Sequence, residues 1–223
     1  MIHRADHCGS LIRTDKLKRA RADFVHGRLS SDALTAIEDE AILHALELQR
    51  QAGMTIYSDG EFRRGSWLAA VSAEFFDGMH NEGIDYVRHP YLKDKVIKDP
   101  EVEVPPNPVG VGTLGLRKRI TGQEIAFLKR RAPGAFKSTL PSPVTLSRSA
   151  YRKGVTDQFY PTWKDFFEAY TSLIVDEVKA IVADGVTYVQ LDAPHYTRLI
   201  VPERRRQLTD RDHRHGMPFP RCR

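Results

Sequence analysis

One order of local signals occurs three times in this chain, and it restricts the fold more than any other feature. An amphipathic helical stretch ends in glycine, a short strand-like run follows, and a polar cluster closes the unit. "TAIEDEAILHALELQRQAG" leads into "MTIYS" and "DGEFRR"; "TGQEIAFLKRRAPG" leads into "AFKSTL" and "PSPVT". Residues 162–185 lead into "VTYVQL", closed by Asp192 and Pro194. Helices alternating with short strands imply parallel strands joined by crossover helices, an α/β protein. In such folds, binding groups collect where strands end at their C-terminal side. The clusters at residues 59–64, 141–145 and 192–196 fall at such ends, and "HCGS" at residues 7–10 reads as a first one. Four polar endings on one rim predict one shared site.

The helices carry their own punctuation. Ile37, Ala41, Ala45, Leu48 and Ala52 recur at steps of three and four, and Gly53 stops that helix. Thr121, three residues before Glu124, predicts a capping box. Thr162 is expected to cap a long helix along which Phe166, Tyr170, Leu173, Ile174, Glu177, Val178 and Ile181 run. A helix is also expected to resume over residues 67–76. The charged, proline-containing stretch 81–108 reads as an insertion or a small surface hairpin, and "PVGVGTLG" as a further strand.

Composition narrows the class. The 223 residues are 41% hydrophobic and 28% charged, enough for one large domain or two small ones. The net charge of +5 is concentrated at the end: from residue 203 onward there are seven Arg against three acids, so the preceding body carries only +1. Without a basic stripe interleaved with aromatics, that body is not read as a nucleic-acid binder. Cys8 and Cys222 stand near opposite ends and form no CxxC pair, which argues against a disulfide framework or a structural zinc site. The first ten residues hold no apolar stretch of signal-peptide type. The greasiest run, "SLIVDEVKAIVADGVTYVQL", is broken by Asp176, Glu177, Lys179 and Asp184 and cannot span a bilayer. A cytoplasmic protein with no membrane partner is expected.

Each polar cluster has two readings. If the backbone stays extended past Ser58, then Asp59, Glu61 and Arg63 share one face. Glu61 can then hold an ammonium group or act as an acid or base, with Arg63 or Arg64 neutralising it or holding an anion. The same residues also read as a charged turn with surface ion pairs. Asp192 ends an apolar strand with Gln190 on its face; an acid buried there must be paired, hydrogen-bonded or used. His195 reads as a solvated loop histidine, a ligand or a base. In "HCGS", Gly9 lets the backbone approach a ligand and neighbouring amides can hold a carboxylate; the alternative is an N-terminal turn with a buried Cys8. Apart from the adjacent His7, nothing local activates that thiol. Pro141, Ser142 and Pro143 shape a wall or only stiffen a connection.

"HCGSLIRT", "AGMTIYSDGEFRRGSW", "LPSPVTL" and "GVTYVQLDAP", in this order and spacing, resemble the cobalamin-independent methionine synthase family, and more closely its short single-barrel members in bacteria. The resemblance covers residues 3–206. It implies a (β/α)8 TIM-barrel fold and methyl transfer from 5-methyltetrahydropteroyl-polyglutamate to the sulfur of homocysteine, with a zinc ion that lowers the pKa of the substrate thiol. Matched residue by residue, Cys8, Gly9 and Ser10 fall on the family's Gly-Ser loop that holds the amino acid. Glu61 falls on an acid that binds the homocysteine amino group, and Asp192 on a second one. Pro141, Ser142 and Pro143 fall on a wall near the folate site. Some members carry a hydrophobic residue at the place of Cys8, and full-length enzymes usually carry Glu where this chain has Ala193.

The resemblance also implies a missing part. The family's zinc ligands, a His-x-Cys pair followed by a Glu and another Cys, lie in later strands, and five strands are counted here. The expected architecture is therefore an incomplete barrel over residues 1–206 followed by a disordered, non-family tail over 207–223. Asp210, Asp212, His213, His215 and Cys222 read as part of that tail rather than as a metal site. Methyl transfer by the chain alone is expected to be impaired, with no catalytic or metal residue assigned to it, and the unpaired barrel edge is expected to favour self-association. Two other readings remain: a related barrel enzyme acting on another thiol or a porphyrin-type polycarboxylate, and a non-catalytic binding module.

Overall fold

The computed structural model describes residues 7–65, 73–82, 107–196, 200 and 202. Helices α1 (Asp15–Val25) and α2 (Ser31–Gln51) both start from a hydroxyl cap. Thr14 accepts from the Leu17 amide and Ser30 from the Ala33 amide, supplying partners that the first helical turn otherwise lacks. The inner side of α2 carries Ala41, Ile42, Ala45 and Leu46 together with Glu38 and Gln49, whereas Leu48 is exposed. That face is rotated from the expected stripe. Apolar residues flank the stripe on both sides, and packing against Leu17, Phe62, Phe127 and Leu128 selects which of them are buried.

Next come β1 (Phe76–Glu82) and β2 (Asn107–Leu116), which pair antiparallel from Phe76 opposite Leu116 to Glu82 opposite Asn107. "PVGVGTLG" is thus a strand, but it lies in a separate two-stranded sheet and not among the parallel strands. The helix expected to reach Phe76 is absent over residues 73–76, where a turn leads into β1. Residues 67–72 of that expectation, and 83–106 of the expected surface insertion, lie outside the described residues. Gly110 sets how closely β2 can press on the helix behind it. A Cβ there would stand 2.7 Å from the Phe166 ring.

The remaining elements are α3 (Gly122–Arg131), β3 (Lys137–Pro141), α4 (Pro143–Ala150), α5 (Trp163–Ala183) and β4 (Tyr188–Asp192). Strands β3 and β4 are parallel, in register from Lys137 opposite Tyr188 to Pro141 opposite Asp192. A parallel bridge joins Tyr57 to Phe136 on the other side of β3, so the expected strand at residues 54–58 is reduced to one bridged residue. Residues 7–10 form no strand, although the Leu11 amide donates to the Gly60 carbonyl and lays this loop beside the next one. The fold is α/β. Among the described residues there are two two-stranded sheets and no closed barrel. No described helix is long and apolar enough to cross a membrane.

Helix α5 organises the larger core. Thr162 caps it in a reciprocal box with Asp165. Phe166, Tyr170, Ile174 and Ile181 pack inward against Phe76, Leu140 and Leu146. The box expected at Thr121 does not form: its hydroxyl and amide both donate to Glu177 of α5, at 2.7 and 3.1 Å. Glu124 turns instead to Arg64.

Candidate functional site

The two parallel strands end together. Pro141 lies opposite Asp192, and the Ser142 amide donates to the Asp192 carbonyl at 2.9 Å. On the far side of β3, Gln49 of α2 takes the place of a strand neighbour for Ser58. Its amide oxygen accepts from the Ser58 N–H and its amide nitrogen donates to the Ser58 carbonyl, both at 2.9 Å. This side chain anchors the start of the turn that carries the acids.

That turn is not extended. Gly60 has φ +67° and Glu61 φ +58°, and Asp59 Oδ1 accepts the Glu61 amide at 3.0 Å. A left-handed glutamate costs on the order of 1–3 kcal/mol and persists only where its surroundings hold it. Arg13 provides part of that hold, donating to the carbonyls of Glu61 and Arg64. Asp59, Glu61 and Arg63 therefore do not alternate along a strand face. Arg63 leaves toward α2, where it pairs with Glu38 and Asp39. Arg64 turns inward, binds Glu124 with Nε and Nη2 at 2.7 and 2.6 Å, and stands 3.5 Å from Glu61 Oε1.

The reading as a surface turn is excluded by burial: Glu61 is only 1% exposed and Asp59 only 5%. Glu61 Oε1 accepts from the Thr139 hydroxyl at 2.7 Å, whereas Glu61 Oε2 and Asp59 Oδ2 are buried and find no hydrogen-bond partner among the described residues. The N-terminal loop closes over this point. Gly9 has φ +88°, and a Cβ on it would lie 3.0 Å from Glu61 Oε1 and 3.8 Å from Gln190 Nε2. Gln190 in turn donates to Asp192 Oδ1 at 2.6 Å and accepts from Lys137 Nζ at 2.8 Å, while Lys137 also holds the His7 carbonyl.

The structure thus brings Gly9, Glu61 and Asp192 to one mouth, with Gln190 between them. Ser10 sits at its outer edge, where its hydroxyl accepts from Arg13 at 3.3 Å, and the Cys8 thiol is exposed. Pro141 ends β3, Ser142 is the N-cap residue of α4 and Pro143 is its first residue, so this stretch is a strand end and helix start beside Asp192. His195 lies in a short 3-10 turn, Pro194–Tyr196. Burial raises the Asp192 carboxyl, the Gln190 hydrogen bond opposes this, and the charge of Glu61 raises it further. Burial likewise raises Asp59 against the pull of Arg64, and lifts Glu124 to about 7 despite its pairing with Arg64. A cleft of about 680 Å³ is lined by Arg64 and Glu124 together with Arg21, Leu34 and Phe75, while Gly9, Glu61 and Asp192 do not line it.

No family model matches the chain. Over 192 residues it is 30% identical to the uncharacterized protein YxjH of Bacillus subtilis, a match covering 85% of this chain and 47% of that relative. It is 26% identical over 189 residues to the 5-methyltetrahydropteroyltriglutamate–homocysteine methyltransferase of Thermotoga maritima, covering 84% of this chain and 23% of the enzyme. A solved Listeria monocytogenes protein described as a vitamin-B12-independent methionine synthase shares the fold with a TM-score of 0.64 and 25% identity, over 87% of this chain and 53% of that one. Over most of its length the chain is similar to cobalamin-independent methionine synthases. It spans about half the length of YxjH and about a quarter of the Thermotoga enzyme.

The zinc ion that likeness to methionine synthases implies does not fit the described residues. Among them no group of three or more His, Cys, Asp or Glu stands ready to hold a metal ion. The acids that do converge surround Arg64, already a cation. Several residues of this cluster have no clear mark in the sequence. Lys137 and Thr139 sit on a fully buried strand, "KSTLP", whose polar residues were the available signal. Glu124 was assigned to a cap, and Gln49 had no signal of its own within a long helix.

Proposed function

We propose that these residues form the amino-acid-binding side of a methyltransferase of cobalamin-independent methionine synthase type. The protein would transfer a methyl group from 5-methyltetrahydropteroyl-polyglutamate to homocysteine. Glu61 receives the ammonium group of the amino acid, Asp192 adds a second negative charge to the mouth, and the backbone at Cys8, Gly9 and Ser10 holds its carboxylate. Pro141, Ser142 and Pro143 form the wall facing the folate. The observation carrying this reading is the buried Glu61 carboxyl, whose Oε2 lacks a partner among the described residues while the Gly9 loop lies against Oε1. A buried carboxylate oxygen is satisfied by a charge-assisted N–H donor, which an ammonium group supplies. The acidic mouth weighs against a polycarboxylate substrate.

The same reading holds that methyl transfer by the 223-residue chain is impaired, because its described residues offer no donor set for zinc. Zinc-dependent methionine formation by the purified chain would overturn that part. It also holds that chains associate through β4, whose described pairing is with β3 alone and whose Leu191 is exposed. Light scattering that stays monomeric with rising concentration would overturn this association. For recognition itself, calorimetry compares L-homocysteine, L-methionine and 4-(methylsulfanyl)butanoate, which lacks the amino group. Saturable binding of the first two and none of the third is expected. Absence of binding to both amino acids would remove the assignment.

A further inference from the structure

Three carboxyl groups and one guanidinium share a single buried cluster, of which Arg64 and Glu124 also line the 680 Å³ cleft. Asp59, Glu61, Arg64 and Glu124 are all at most 6% exposed. Arg64 is committed to Glu124 by two short hydrogen bonds and reaches Glu61 Oε1 only at 3.5 Å. Thr139 links them, accepting from Arg64 Nη1 at 3.2 Å and donating to Glu61 Oε1 at 2.7 Å. Asp59 joins the group through the Glu61 amide. Fully ionised, the three acids would exceed the single Arg64 charge by two at positions with little access to solvent.

The other cations nearby are engaged with acids or carbonyls of their own: of those lining the cleft beside Glu124, Arg21 pairs with Glu38, Lys118 with Glu74, and Arg119 with Glu177 and Asp184. Arg13, from the loop before α1, spends its donors on the carbonyls of Glu61 and Arg64 and on Ser10. Arg63 is paired with Glu38 and Asp39 of α2, and Lys137 of β3 is held by Gln190 and the His7 carbonyl. Asp192 of β4 adds another acid. Like charges packed together out of water disfavour each other's ionisation. Burial first, and the neighbouring acids in smaller part, displace Asp59 and Glu124 upward against the pull of Arg64.

Resting on the ammonium-binding reading, we propose that Arg64, Asp59 and Glu124 position Glu61 and keep one proton among the acids, which is expelled when the ammonium group of a ligand arrives. One carboxyl O–H bond breaks, the proton passes to water, and the incoming ammonium supplies the positive charge in its place. Nothing is oxidised or reduced. Glu124 lines the 680 Å³ cleft and Gly9 does not, which gives the proton an exit that the ligand does not block. Amino-acid binding then tightens as pH rises toward neutrality, by up to about tenfold per pH unit for one proton released, and levels off above the titration of the group. A ligand without an amino group leaves the proton in place.

The test is calorimetry of the 223-residue chain with L-methionine, which has no thiol proton of its own, near pH 6.5 in phosphate and in Tris. These buffers differ in their heat of protonation. The expected result is a buffer-dependent binding heat corresponding to a release of up to about one proton per ligand. In Glu124→Gln, and independently in Asp59→Asn, that number should fall by at least half while methionine still binds. A merely structural role would change affinity and leave the proton count alone. Binding with identical heats in both buffers overturns the inference and leaves the ammonium site standing. Absence of methionine binding by the unmodified chain overturns both. An unchanged proton count in both variants, with native circular dichroism, also overturns the inference.

Discussion

Around α5 the interior is aromatic. Phe166 meets Tyr170 edge-on at 5.1 Å, Tyr170 meets Phe76 at 5.2 Å, and the Tyr170 hydroxyl donates to the sulfur of Met79. At the strand ends the interior is equally closed but built from Asp59, Glu61, Arg64, Glu124, Lys137 and Thr139. The first region gains stability from every side chain it buries. The second needs each charge to be offset by a neighbour, and it leaves Glu61 Oε2 without one among the described residues. Equal burial with opposite chemistry separates the part of the molecule that holds it together from the part proposed to receive a ligand.

Substitutions can break or sharpen that contrast. Phe166→Ala should have the largest effect, about 3–5 kcal/mol lost in urea unfolding. A loss below about 1 kcal/mol would deny α5 its role. Glu61→Gln should act on the other region alone. It should weaken methionine binding by about 2–5 kcal/mol in calorimetry, roughly thirtyfold or more, with unfolding stability held or raised. Loss of stability without loss of affinity would make Glu61 structural.

The two regions should also differ in pH response. Glu124 is raised from 4.5 to about 7 in the folded chain, so the folded state binds its proton more tightly than the unfolded state does. This stabilisation is complete below pH 4.5 and is lost as pH rises through about 7. Thermal melts should therefore show that component of stability falling between those limits, and Glu124→Gln should flatten it; identical profiles would contradict the assignment. Phe166→Ala should lower the whole profile without reshaping it. The smallest expected effect is at Thr162→Ala, about 1 kcal/mol from the lost cap. Scanning calorimetry would show it, and an unchanged melt would mean that α5 needs no cap.

The aromatic region was largely legible in the sequence, and the polar one only in part. Helix α5 announced itself through Thr162 and a regular apolar series, because burial on one helical face leaves a periodic trace. The alternation of elements points to a gathering of strand ends and singles out Glu61, Asp192 and the Gly9 loop, which lie close together in the structure. Their detailed arrangement was not legible, because a Thr-x-x-Glu spacing says nothing of partners distant in the chain. Thr121 joined Glu177 and Glu124 joined Arg64, 56 and 60 residues away respectively. Gly60 followed by a left-handed Glu61 turned a supposed strand extension into an Asx turn. The antiparallel pairing of β1 with β2 spans an intervening segment whose composition carries no register. Sparse apolar residues hid α1, which buries only Leu17 and Ala20.

A crystal structure of the chain with bound L-methionine would test the ammonium pocket most directly. The amino nitrogen should lie about 2.7–3.2 Å from Glu61 Oε2, with the ligand carboxylate against the backbone beside Gly9. Methionine seated away from this mouth, or seated in it with its amino group turned from Glu61, would contradict the account.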